Sequence, residues 1–257
     1  MGILNITPDS FYQNSRIQTE NELIKKAEQM IAEGADILDI GGYSTRPGAS
    51  DISIDEEIER VLSAIKPIRK SHPEVILSID TFRSEVAKVA IQEGTNIIND
   101  VSGGNLDTQM FQTVAELDVP YILMHMRGTP ATMTKLSNYN HLITDIYQEL
   151  QSKLKVLKFL GIKDLILDVG FGFAKTIPQN YELLKNLSYF KNLEYPLLAG
   201  ISRKSMIYKS LNIEPSEALN GTTALNMIAL QNGASILRVH DVHEAKQCVE
   251  LHKRLNA

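Results

Sequence analysis

The chain has 257 residues, 43% hydrophobic and 22% charged, with 15 Gly and 9 Pro, which excludes collagen-like, low-complexity and disordered readings. Its 31 acidic and 26 basic side chains give a formal charge of −5, which argues against nonspecific nucleic-acid binding, a process driven by basic surface. With one cysteine, Cys248, no basic-then-apolar leader and no apolar run near the ~20 residues of a membrane span, the expectation is a cytoplasmic protein without an intrachain disulfide or a membrane partner.

Short aliphatic or β-branched runs alternate with longer segments whose apolar residues recur at three and four, a pattern that predicts a parallel sheet with crossover helices. Strand-like runs occupy Gly2 to Leu4, Ile37 to Ile40, Val75 to Ile79, Asn96 to Ile98, Tyr121 to Met124, Leu165 to Leu167, Leu197 to Ala199 and Ile236 to Val239. Helical patterns occupy Glu20 to Glu33, Ile54 to Lys70, Ser84 to Glu93, Thr108 to Leu117, Ile143 to Leu160, Gln179 to Asn192, Glu217 to Gln231 and His243 to Asn256. Thr19 with Glu22, Ser53 with Glu56, and Asp241 with Glu244 have the spacing of capping boxes. Gly34, Gly94, Gly161 and Gly233 suit helix C-caps. No Gly-, Ser- or Pro-rich linker divides the chain. Eight β/α units in ~250 residues predict one α/β domain, residues 1–257, folded as a single (β/α)8 TIM barrel. A doubly wound open sheet is the alternative, because alternation alone does not show closure.

In such a barrel the chemistry gathers where strands end and βα loops begin. Asn5 follows the first run and GGYSTRPG the second; Asp80 closes the third, Asn99 and Asp100 the fourth, and His125 the fifth. Asp168 follows the sixth, SRKS (Ser202 to Ser205) the seventh, and Arg238 with His240 the eighth. Asp80, Asn99 and Asp168 could hold a flat heterocycle rich in N–H donors, although any single Asp could equally serve as a loop cap or ion pair. Arg46, Arg203, Lys204, Arg238 and His240 form a cationic set. Part of it stands after strands seven and eight, the usual phosphate-binding quarter of this fold, so a phosphate or diphosphate is the natural ligand.

Other features are bland. The glycines of DVGFGFAK allow close backbone approach, but GxG without the longer fingerprint is a poor dinucleotide signal. His240 and His243 lack the spacing of a metal site. Cys248 reads as a small core residue, not a nucleophile. Lys25, Lys26 and Glu28 read as a solvated helix face.

MGILNITPDSF, DIGGYSTRPGAS, SIDTFRSEVA, IINDVSGG, MHMRGTP, LDVGFGFAKT, GISRKSM and RVHDV resemble, in order and from end to end, the dihydropteroate synthase family of pterin-binding TIM barrels. The resemblance implies a folate-pathway transferase joining 6-hydroxymethyl-7,8-dihydropterin diphosphate to p-aminobenzoate, with release of diphosphate. It implies pterin contacts from Asp80, Asn99, Met124, Asp168, Phe173 and Lys204, and diphosphate contacts from Asn5, Arg46, Arg238 and His240. Mg²⁺ is the implied cofactor, near Asn5. Thr45 and Ser205 would meet p-aminobenzoate, with a helix dipole behind Ser205. The implied catalytic set is Asp80, Arg46, Lys204, Arg238 and His240, and the implied assembly is a homodimer through the C-terminal barrel helices. The family is a sulfonamide target.

This chain departs from the family pattern at Tyr12, Gln13, Asn14 and Ser15, where a short glycine-rich stretch is usual, at Tyr43 in place of Glu, and at Val169 in place of Pro. The altered first lid motivates an alternative: a non-catalytic or weakly active pterin-binding paralogue. A methyltetrahydrofolate-dependent methyltransferase domain would share the fold but has no need of STRPG, SRKS or RVH.

Overall fold

The computed structural model of the chain describes residues 1–6, 16–44 and 51–256, the side chains of 16–20 excepted. Among these, eight parallel strands pair in sequence order: β1 Gly2–Asn5, β2 Ile37–Gly41, β3 Ile76–Asp80, β4 Ile97–Asp100, β5 Tyr121–Met124, β6 Leu165–Asp168, β7 Leu197–Ala199 and β8 Ala234–Leu237. The helices around them are α1 Arg16–Ala32, α2 Ile54–Ser71, α3 Ser84–Gln92, α4 Met110–Leu117, α5 Leu142–Phe159, α6 Ile177–Lys185, α7 Ser205–Leu211, α8 Leu219–Gln231 and α9 Val242–Leu255. The chain is thus an α/β protein with a curled sheet of eight parallel strands. Beyond β8, Val239 bonds back to the first strand's segment: Ile3 N–H donates to Val239 O and Val239 N–H to Met1 O, each at 2.9 Å.

Strand alternation sorts the side chains. Leu38, Ile40, Leu77, Ile79, Ile98, Leu123, Leu167 and Ala199 belong to the large core shared with helix residues such as Val61, Ile65, Ile146 and Leu150. The intervening residues Ile97, Ile122 and Leu198 form a separate small cluster with Met1, Ile37, Ile166 and Ile236, inside the curl of the sheet. Two residues further along each strand, the same inward parity presents Asp39, Asn99, Met124, Asp168 and Arg238. The inside of the sheet is therefore apolar at its base and polar or ligand-facing at the strands' C-terminal ends.

Local expectations hold unevenly. Ser53 caps α2 and accepts from Glu56 N–H at 3.1 Å. Thr19 is no cap, because α1 already begins at Arg16. Asp241 gives no side-chain cap either, since both its oxygens receive the Arg203 guanidinium, at 2.9 and 2.8 Å. The last strand is Ala234–Leu237 rather than Ile236 to Val239, with a register shift opposite Leu197/Leu198. Gln179 to Asn192 divides at Asn186 into α6 and a 3₁₀ segment, Leu187–Leu193. α6 starts earlier, at Ile177, on a capping box between Thr176 and Gln179. Periodicity gives no sign of the short helix α7, whose seven residues are too few to show it; a helix at Ser205 is implied only by the family resemblance.

Candidate active site

Three strand ends build an acceptor-rich wall. Asp168, at the end of β6 and 6% exposed, has Oδ1 receiving Gly170 N–H at 2.7 Å. Burial raises its pKa, while Lys204 and the Gly170 N–H oppose the rise. Asn99, buried on β4, donates through Nδ2 to Asp39 Oδ2 at 3.0 Å. A carboxylate can only accept, so Asp39 fixes the Asn99 amide and leaves its carbonyl oxygen as the outward acceptor. Asp80, at the end of β3, has Oδ2 on Arg238 and is pushed up by burial, with Arg238 pulling the other way and Asp39, Glu57 and Asp100 adding repulsion.

Lys204 stands near Asp168 at this wall: a Cβ at Gly200 would be 3.9 Å from both Asp168 Oδ2 and Lys204 Nζ. Its Nζ reaches the Phe171 carbonyl and lies 4.8 Å from the Phe173 ring centroid. Burial pulls its pKa down to about 8, against the support of Asp168. Met124 and Phe173 belong to one apolar cluster at this rim with Met126, Met133 and Phe82. Together these groups define a slot with an apolar lining, an acceptor edge and one cation, which suits a flat ring carrying N–H donors and a carbonyl.

The expected anion end is wired differently. Arg238 donates through Nε to Asp39 Oδ2 at 2.6 Å and through Nη2 to Asp80 Oδ2 at 2.5 Å. Burial would lower its pKa, but Asp39 and Asp80 outweigh that and raise it. Arg238 therefore braces two carboxylates as well as bordering the site. His240 is exposed, and its Nδ1 lies 3.0 Å from Ser202 Oγ. Asn5 sits across β2 from Asp80: a Cβ at Gly41 would stand 3.4 Å from Asn5 Oδ1 and 3.5 Å from Asp80 Cβ. Arg46 and Thr45 lie outside the described residues, as do most of the TPDSFYQNS and GGYSTRPGAS segments. Ser205 opens α7, so a helix N-terminus does stand at this position, in a helix of seven residues.

Arg203 leaves the cationic set. Besides Asp241 it donates to the Pro215 and Ser216 carbonyls, so it ties a loop to the last helix. Asp100 and His125 also leave the rim, for a reason of parity: each is one residue past an inward-facing position and points outward. Asp100 accepts from Tyr121 Oη at 2.7 Å, and His125 meets Glu149 of α5 at 3.0 Å. Tyr43 packs edge-on against Phe82 with ring centroids 5.0 Å apart, beneath the Arg83 guanidinium. Gly42 is required beside it, since a Cβ there would come within 2.8 Å of Val61.

Asp39 is the site residue that the strand-end survey missed. It lies in the middle of β2, fully buried, and organises both Arg238 and Asn99. Its signal was available: an Asp inside the aliphatic run ILDIG, at inward parity, is a charge that must be paired.

The pterin-binding enzyme family model matches residues 1–240. The chain belongs to that family. A dihydropteroate synthase of Synechocystis is 43% identical over 250 residues, spanning 96% of this chain and 86% of the relative, so the membership lies in the dihydropteroate synthase branch of the pterin-binding enzymes. The Yersinia pestis dihydropteroate synthase, solved with a sulfonamide drug complex, superposes with a TM-score of 0.92 at 37% identity and covers 100% of this chain and 93% of its own. The Xanthomonas albilineans enzyme in complex with 7,8-dihydropteroate gives a TM-score of 0.89 at 33% identity, with the same coverages.

Proposed function

We propose that the chain is a dihydropteroate synthase, a transferase that joins 6-hydroxymethyl-7,8-dihydropterin diphosphate to p-aminobenzoate and releases diphosphate. The observation that carries the reading is the slot itself: Asp168, Asn99 and Lys204 around an apolar lining, in a chain alike along its whole length to synthases of that name. Asp168 receives the pterin 2-amino and ring N–H groups, the Asn99 carbonyl oxygen accepts a further donor, Lys204 donates to the ring carbonyl and N5, and Met124 and Phe173 line the faces. A non-catalytic paralogue is not favoured, because the relatives that this chain matches along its whole length are synthases by name.

The reaction breaks the bond between the pterin's exocyclic methylene carbon and a diphosphate oxygen, the electron pair leaving with diphosphate. The aniline nitrogen then bonds that carbon and gives up a proton to solvent. Direct attack by the aniline nitrogen needs no covalent intermediate, so Ser202, although 3.0 Å from His240 Nδ1, has no bond to make, and the protein's work is electrostatic. Asp80 places negative charge beside the cationic pterin that develops as the bond breaks. Arg46, Arg238 and His240 receive the departing diphosphate, and the loops carrying Thr45 and the TPDSFYQNS segment exclude water. Ser205 offers its hydroxyl to the p-aminobenzoate carboxylate.

Mg²⁺ belongs to this proposal, and the residues fit it. Asn5 presents a neutral hard oxygen beside the site, and its amide makes no hydrogen bond among the described residues. No group of three or more His, Cys, Asp or Glu among the described residues could hold an ion alone, so Asn5 would act with diphosphate oxygens and water, the habit of Mg²⁺. When bound, Mg²⁺ supplies charge neutralisation at the leaving group.

The proposal extends to architecture. The bonds between Val239 and the first strand support closure of the sheet as a single (β/α)8 barrel over residues 1–257. Exposed apolar side chains on the outer helices, above all Phe159 at 89% exposure and Leu255 at 69%, support a homodimer through the C-terminal half. No helix among the described residues is long and apolar enough to cross a membrane, and the single cysteine suits a cytoplasmic location. Sensitivity to sulfonamides is expected, since they resemble p-aminobenzoate. Purified protein should release diphosphate only when pterin diphosphate, p-aminobenzoate and Mg²⁺ are all present. No product at high enzyme concentration would exclude the synthase reading.

A further inference from the structure

Behind the slot lies a chain of linked polar side chains with no part in the chemistry above, running from Lys175 to the surface. Lys175 Nζ stands 2.9 Å from the Gly170 carbonyl, 3.0 Å from the Phe173 carbonyl and 3.1 Å from His125 Nδ1. An ammonium has three hydrogens, and this one has three acceptors. His125 Nδ1 must then accept, so its proton sits on Nε2 and donates to Glu149 Oε2 at 3.0 Å. Glu149 in turn takes the Arg127 guanidinium, with Nε at 3.0 Å. Glu149 is the outer end of the chain. It is 37% exposed and lines a cleft of about 520 Å³ together with Arg127, Lys153 and Asp145, on the far side of β5 from the slot.

The segment that Lys175 grips is the loop from Asp168 to Thr176, and its backbone is demanding. Gly170, Gly172 and Ala174 all have positive φ, and a Cβ at Gly170 would fall 2.0 Å from the His125 carbonyl. In this conformation the loop's carbonyls point to named donors: Phe171 O to Lys204, Ala174 O to Tyr139, and Gly170 O and Phe173 O to Lys175. The same loop sets two proposed pterin contacts, because Gly170 N–H orients Asp168 and Phe173 supplies a face.

We propose that Lys175 is a positioning residue for the pterin, its ammonium holding the Asp168–Thr176 loop from behind so that Asp168 and Phe173 keep their binding geometry, with His125 and Glu149 orienting that ammonium. The proposal deepens the synthase reading and rests on it. It makes pterin affinity depend on the charge of a residue that never touches pterin. Burial pulls the Lys175 pKa down to about 7; Asp168 and Glu149 support the charge, while Lys204 and Arg127 oppose it. His125 is held neutral, its pKa pulled down to about 4 by burial and by Lys175. As pH rises through the Lys175 pKa, the ammonium loses a donor and the loop loses a tie, so affinity falls.

The test is calorimetric titration of the full chain with 6-hydroxymethyl-7,8-dihydropterin at a series of pH values. Lys175→Met should weaken binding at least about tenfold, the scale of one lost charge-assisted hydrogen bond, while leaving the affinity for inorganic diphosphate within about twofold. Glu149→Gln, half-exposed and outside the slot, should fold normally and move the alkaline fall in affinity to lower pH by on the order of half a unit, because it removes a negative charge supporting the ammonium. A residue of merely structural importance would not shift that profile. Lys204, whose pKa is about 8, shapes the same limb but receives nothing from Glu149, so a displacement reports Lys175. Wild-type affinity in Lys175→Met, or an unmoved profile in Glu149→Gln, overturns the proposal. Should Lys175→Met not fold, the Glu149→Gln profile decides alone. Absence of any dihydropterin binding by the wild type would instead count against the synthase reading.

Discussion

The two ends of the site are built on opposite principles. At the heterocycle end, Asp168 and Asn99 each have one side-chain atom tied to the protein and another left for a ligand, and the half-buried Lys204 has no ion-pair partner within contact distance among the described residues. At the anion end, Arg238 is already engaged by Asp39 and Asp80. The first arrangement is a mould that needs only its ligand. The second is a balanced set of charges in which Arg238 neutralises internal carboxylates and would meet the proposed diphosphate only by sharing its donors. The contrast follows from burial: two acids inside one strand rim require a cation whether or not substrate is present.

Breaking the anion end should therefore cost the fold, and breaking the heterocycle end should cost binding. Arg238→Ala leaves Asp39 and Asp80 without their cation and should lower stability by about 3–5 kcal/mol, read from urea unfolding; a loss within about 0.5 kcal/mol would erase the contrast. Asp168→Asn should keep the fold but weaken dihydropterin binding by roughly 10- to 100-fold, corresponding to loss of charge-assisted hydrogen bonds of about 1.5–3 kcal/mol. Calorimetry checks it, and unchanged affinity would assign the ring to another carboxylate.

The pH dependence of stability sharpens the same comparison behind the slot. The His125 pKa is about 4 in the folded chain against 6.5 when unfolded, so the unfolded state takes up the proton first as pH falls. Stability should thus be full above pH 6.5 and decline as the pH drops toward 4, by on the order of 3 kcal/mol over that window, and His125→Gln should flatten the decline. Chemical denaturation at several pH values measures it; an equal slope in the variant would place the effect elsewhere.

Most of the candidate site that the structure gathers is legible in the sequence because strand ends are marked by polar residues after aliphatic runs, as at Ile79–Asp80, Ile98–Asn99 and Leu167–Asp168. What escaped was parity and partnership. Counting by twos from Ile122 would have sent His125 outward and kept Met124 inward, and the same count from Ile37 would have brought Asp39 in. Partnership is harder to read: Arg203 and Arg238 stand in similar strand-end strings, yet one ties Pro215, Ser216 and Asp241 together and the other braces the rim. Only three-dimensional proximity separates them. The fold followed the alternation of runs, and the misplaced pieces were those with little periodicity, the short helix α7 and the irregular pairing of β7 with β8.

The central claim, a ready-made heterocycle end beside an anion end already engaged, is tested most directly by titrating the same protein separately with 6-hydroxymethyl-7,8-dihydropterin and with inorganic diphosphate, without Mg²⁺. The dihydropterin should bind alone, and diphosphate at least about tenfold more weakly because Arg238 must be shared. Diphosphate binding alone as tightly as the dihydropterin would contradict it.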